Sequence, residues 1–181
     1  MNLLIALLLA GGVPPNIPGP PTVRAARIAV ESASAKYGPK HPATAMMLRN
    51  LALAFDQSGF HGEAVKYAGQ AITILESKFG DKDVSLVPAL NVLTESLAAQ
   101  TRYAEAEAAA RRAVAIGADA GTHYATALQN LGAILELEGK MKPAEAAYRE
   151  ALTLRESLLP AGHLHTAITR ASLARVEQST R

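Results

Sequence analysis

From Tyr124 to Ser157 the apolar residues recur with a helical period, pause at a glycine, and recur again. Leu128, Leu131 and Leu135 fall on one helical face with Gly132 among them, Gly139 interrupts the pattern, and Ala144, Tyr148 and Ala151 form a second stripe. The pattern predicts two antiparallel helices joined by a tight turn. Gly132, Ala144 and Ala151 are small enough to let the helix axes approach at the short end of the roughly 8 to 10 Å packing range.

The same unit stands twice more upstream. Leu48, Leu51, Ala52, Phe55, Gly59, Ala64, Ala68 and Ala71 become Leu90, Leu93, Thr94, Leu97, Thr101, Ala106, Ala110 and Ala113 after a shift of 42 residues, and the Leu128 unit after a further 38. The four-residue difference falls between Ile116 and Tyr124. There the second helix of the middle unit is expected to stop about one turn early, at Gly117. Half units flank the three. Val23 to Lys36 fits a lone second helix, and Leu164 to Ser179 fits a lone first helix in which Arg170 and Glu177 replace bulky apolar residues, so that its outer side can face water. The expected organisation is a single repeat domain over 22–181, with repeats at about 43–83, 85–121 and 123–163 and a capping helix at 164–179.

These positions resemble the tetratricopeptide repeat, in which a Leu-Gly pair, a bulky residue, a turn Gly and then Ala, aromatic and Ala recur within a helix hairpin; Leu131-Gly132, Leu135, Gly139, Ala144, Tyr148 and Ala151 match it. The junction Tyr37-Gly38-Pro39-Lys40-His41-Pro42-Ala43-Thr44-Ala45, followed by Arg49-Asn50-Leu51-Ala52, is similar to the 42-residue version found in kinesin light chains and many bacterial proteins. In it Pro42 presets φ for the first helical turn and holds His41 extended. Pro88 and Pro143 also fall in predicted first turns, where a missing N–H costs nothing. His163-Leu164 keeps the His without the Pro, and the other junctions lack the pair.

The resemblance implies an all-α, right-handed α-α superhelix of three full repeats with a half repeat at each end. It also implies a protein or peptide partner held on the inner face, which first helices line. In the family an Asn just before the Leu-Gly pair contacts the ligand backbone. Asn50 and Asn130 stand there, with Ser172 in the last helix and Val92 as the exception; Arg49, Asn91, Glu95, Gln129 and Arg175 are the neighbouring groove positions. The alternative for such an Asn is a helix-to-helix hydrogen bond. Members that clamp a free C-terminal carboxylate place a Lys one turn before the groove Asn, whereas Met46 and Thr126 stand there, so a reader of a segment's backbone is expected instead.

Composition agrees with thin helical layers: 49% of residues are hydrophobic, only 4% are aromatic and there is no Trp. The net charge of +2, with Arg111-Arg112 as the adjacent basic pair and no interleaved aromatics, argues against a nucleic-acid partner. Without Cys there are no disulfides or thiolate metal sites. His163 and His165 are two residues apart, but His163 is already explained by its junction register and no carboxylate lies near it in sequence, so no metal is expected. No nucleophile elbow, phosphate loop or His-Glu-x-x-His occurs, and neither an enzyme nor a cofactor is expected. Glu63, Glu105 and Glu145 recur early in second helices, where a carboxylate favours the dipole.

Before Arg24 there is no charged side chain. Leu3 to Ala10 is a pure apolar run, followed by Gly11-Gly12 and a Pro-rich stretch. Residues 1–12 therefore read as a secretory leader and 13–21 as an extended connector, which predicts export to a periplasmic or extracellular location; the alternative is an apolar tail on a cytoplasmic protein. The run is far short of the roughly 20 residues of a membrane span. A peptide receptor is expected to be a monomer with an open groove. The rival reading is a structural scaffold that self-associates.

Overall fold

The computed structural model describes residues 20–179. The leader and most of the connector lie outside them. Eight helices follow in order among the described residues: α1 (Pro21–Tyr37), α2 (Pro42–Gln57), α3 (His61–Phe79), α4 (Val87–Ala99), α5 (Tyr103–Ile116), α6 (Thr122–Leu137), α7 (Met141–Leu158) and α8 (Leu164–Ser179). There is no strand among these residues. As the spacing predicts, α2–α3, α4–α5 and α6–α7 are antiparallel hairpins, with α1 and α8 as the half repeats. α5 ends at Ile116, giving it 14 residues against 19 in α3 and 18 in α7.

Each helix packs on the next in sequence, and the first helices also touch one another, α2 on α4, α4 on α6 and α6 on α8. First helices thus form one continuous layer and second helices the other. Alanine sets the spacing between the layers. Ala64, Ala68, Ala71, Ala106, Ala110, Ala113, Ala144 and Ala151 are fully buried at the successive contacts. Gly132 goes further: a Cβ there would stand 2.7 Å from the ring of Tyr148. That distance shows why a glycine sits opposite an aromatic in this repeat.

The junctions have a capping function beyond the geometry that Pro42 imposes. His41 has extended backbone (φ −82°, ψ 144°) and its Nδ1 accepts from the Ala43 N–H at 3.1 Å. In the same register Asp83 Oδ1 accepts from the Ser85 N–H at 2.9 Å, ahead of a 3-10 turn over Val84–Leu86. His163 Nδ1 likewise accepts from the His165 N–H at 3.2 Å. Each satisfies a donor that a helix start leaves orphaned. Within the hairpins the turn needs a left-handed residue. Gly59 (φ 80°) and Gly139 (φ 76°) supply it, and Thr101 (φ 60°) is forced into it.

The terminal helix seals the stack. Leu173 and Val176 of α8 join Leu131, Leu135, Ala144 and Tyr148 in one core cluster. Arg170 of this helix is exposed and Glu177 partly so, and both pair with α7: Arg170 bonds Glu156 at 2.6 Å and Glu177 accepts from Arg149 at 2.9 Å.

Candidate functional site

The repeat spacing sets the first-helix layer out in rows. Met46, Pro88, Thr126 and Ile168 are register equivalents, as are Arg49, Asn91, Gln129 and Ala171, and then Leu53, Glu95, Ala133 and Arg175. Polar side chains in these rows, and in the adjacent row of Asn50, Val92, Asn130 and Ser172, reach across to the neighbouring first helix. Asn130 Nδ2 donates to Glu95 Oε1 at 2.9 Å, and Gln129 Nε2 donates to Ser172 Oγ at 3.3 Å.

The sequence-predicted groove residues fall into two groups. Five are already engaged within the molecule. Asn91 is buried and donates to the His123 carbonyl at 2.9 Å; Asn130 and Glu95 are bonded to each other; Gln129 is held by Ser172; and Arg175 makes a two-pronged contact to Glu136 at 2.6 and 2.8 Å. The remaining two, Arg49 and Asn50 of α2, make no side-chain hydrogen bond or ion pair among the described residues. The helix-to-helix alternative therefore describes Asn91 and Asn130, while Asn50 faces solvent.

The electrostatics follow this division. Burial raises the Glu95 carboxyl above the usual carboxylate range; the Asn130 hydrogen bond opposes the rise and the charge of Asp56 adds to it. Asp56 is itself held by Ser96 Oγ at 2.8 Å and His61 Nδ1 at 2.9 Å. Burial lowers the Arg49 guanidinium from its ordinary value. His123 is lowered by its own burial and by the positive charge of Arg49. Glu136, which also accepts from the Tyr148 hydroxyl at 2.9 Å, is held low by Arg175.

Arg49 borders a cleft of about 390 Å³ at the amino-terminal ends of α2 and α4, where it is joined by Met46, Phe79, Ser85, Pro88 and His123. Met46 is 53% exposed and Phe79 48%, so their apolar surface is open. Sequence reasoning about single motifs passes over Phe79 and His123 as groove residues and names Met46 only for the Lys that is missing there. The row alignment of Met46 with Pro88 is the signal that places it on the same strip as the groove residues.

A profile of the tetratricopeptide repeat matches residues 24–77 and 85–157. The chain belongs to the tetratricopeptide repeat family. Its stack is thus a protein–protein interaction module. Comparison with curated proteins gave no match. Among solved structures, a kinesin-light-chain-type protein of Podosopora anserina with nearly identical TPR-like repeats superposes with a TM-score of 0.66 at 20% identity, over 87% of this chain and 77% of that one. The apo form of RapI gives 0.72 at 18% identity, over 87% of this chain and 56% of RapI. BtubC (BKLC) from P. vanneervenii gives 0.64 at 23% identity, over 77% and 60%. At these identities the likeness establishes the fold.

For this tetratricopeptide stack two chemical facts bound the site. Among the described residues no group of three or more His, Asp or Glu could hold a metal ion, and no helix is long and apolar enough to cross a membrane. The His163 and His165 rings stack at 5.3 Å, and His163 Nδ1 is committed to its cap.

Proposed function

We propose that the first-helix layer receives a peptide or protein segment and that the contact is concentrated at its α2 end, around Asn50 and Arg49. The observation that carries this reading is the uneven use of polar groups. Asn91, Gln129, Asn130 and Arg175 are engaged by neighbours, whereas Asn50 and Arg49 are not, and Arg49 stands beside the open apolar side chains of its cleft. An amide can donate to and accept from a segment's backbone at once. Each such bond nets roughly 0.5 to 1.5 kcal/mol. Asn50→Ala is expected to weaken a captured segment about tenfold. The same variant should leave melting unchanged, because an exposed side chain supports no packing; intact affinity in it would overturn the reading. Amidating the segment's C-terminus should leave affinity within about a factor of two, well under the roughly 1.4 kcal/mol of a tenfold effect.

A second reading is favoured by one feature. Leu164 and Ile168 of α8 are 69% and 45% exposed, an apolar patch suited to a self-associating scaffold. Light scattering separates the two, since the receptor is a monomer and the scaffold is not. We also propose export, supported by the uncharged run Leu3 to Ala10. N-terminal sequencing of native protein should begin near Val13; an intact Met1 or Asn2 on cytoplasmic material would overturn it.

A further inference from the structure

Arg49 is the one cation on the first-helix layer (α2, α4, α6 and α8) without an acidic partner among the described residues: Arg170 is bonded to Glu156 and Arg175 to Glu136. It is half-buried, which makes an unmatched charge costly, and no Asp or Glu lines its cleft. The start of α2 borders it and adds the positive end of its dipole, whereas the turn into α4 is already capped by the Asp83 carboxylate. The unmatched charge of Arg49 therefore asks for an anion, while Met46, Phe79 and Pro88 ask for an apolar neighbour.

We propose that this cleft takes the side-chain carboxylate of an Asp or Glu within the bound segment, with an apolar residue next to that acid resting on Met46 and Phe79. The inference deepens the groove-binding reading and rests on it. A guanidinium offers a carboxylate two parallel donors, and charge-assisted bonds of this kind are about twice as strong as neutral ones. Carboxylate fits better than phosphate. Arg49 supplies one positive charge, and His123, held toward its neutral form by burial and by Arg49, supplies no second at neutral pH, which would leave half of a phosphate dianion unmatched. Removing Arg49 should not unfold the chain, since no internal bond is lost with it; the melting temperature of Arg49→Gln should hold or rise.

The test is selection on the full chain from a randomised nonapeptide library blocked at both ends, run in parallel on the wild type, Arg49→Gln and Arg49→Lys. Asp or Glu should be enriched at one position beside an apolar residue in the wild type. For the best synthetic peptide, replacing that acid by Gln should cost about tenfold in affinity or more. Arg49→Gln should erase the difference and Arg49→Lys keep part of it, while phosphoserine at the acid position should bind no better than Glu. Peptides selected without an acidic preference, or a preference that survives Arg49→Gln, would overturn the carboxylate site and leave groove binding standing. So would tighter binding of the phosphoserine peptide, or enrichment that appears only when a free C-terminus is supplied. Selection of no peptide at all would overturn both.

Discussion

Gly132 of α6 and the Tyr148 ring of α7 are in direct contact, so close that a methyl group on Gly132 would stand 2.7 and 2.8 Å from Cε1 and Cδ1 of the ring. Tyr148 is fully buried and its hydroxyl donates to Glu136 at 2.9 Å, which prevents the ring from swinging aside without breaking that bond. Gly132→Ala is therefore expected to destabilise by about 1 to 3 kcal/mol despite alanine's better helix propensity. Denaturant unfolding measures it. An unchanged midpoint would mean that the hairpin relaxes freely around the methyl.

The left-handed turn at Thr101 gives the opposite sign. A β-branched residue at φ 60° is strained by roughly 1 to 2 kcal/mol, and glycines occupy the equivalent turns at Gly59 and Gly139. Glycine's greater freedom in the unfolded chain takes back about 0.4 to 1 kcal/mol. Thr101→Gly should thus stabilise by about 0.5 to 1 kcal/mol, a rise of a few degrees in melting temperature. A lower melting temperature would contradict the turn geometry.

Truncation after Ser157 removes α8 and with it Leu173 and Val176, which cover Tyr148 and Leu135. It also strips Arg155 of the His165 carbonyl (3.0 Å) and the Thr169 hydroxyl that satisfy this buried guanidinium. Exposed core and an unsatisfied cation together should lower the melting temperature and promote aggregation. A melting curve identical to that of the full chain would show α8 to be dispensable.

Glu95 provides a pH signature. Its carboxyl is raised in the folded protein, chiefly by burial, so the folded state holds the proton to higher pH than the unfolded chain does. Stability contributed by this group is present when it is protonated and is lost as pH rises from the ordinary Glu range through the raised value. Glu95→Gln keeps an acceptor for Asn130 and removes the ionisation. The variant should melt higher than the wild type at pH 7, and the gap should narrow as pH falls toward the ordinary Glu range. A gap that widens on acidification would reverse the assignment.

The helices, their pairing and their turns were legible in the sequence because each depends on local spacing. Apolar residues at helical intervals, glycine at the left-handed turns and proline in first turns act within a few residues, and the 42- and 38-residue shifts then dictate which helices repeat. Even the early stop of α5 follows from Gly117. The state of the inner-layer polar residues was not legible, since it depends on atoms from different repeats meeting. Asn50 and Asn130 occupy the same place in their repeats, yet Asn130 finds Glu95 on the preceding first helix, and Asn50 finds no partner among the described residues. Arg49 and Asn91 likewise share a register position, but one lines an open cleft and the other is buried against the start of α6. Sequence period decides which face of a helix looks inward; only the packing of one repeat on the next decides whether a polar group there is already bonded or free for a partner.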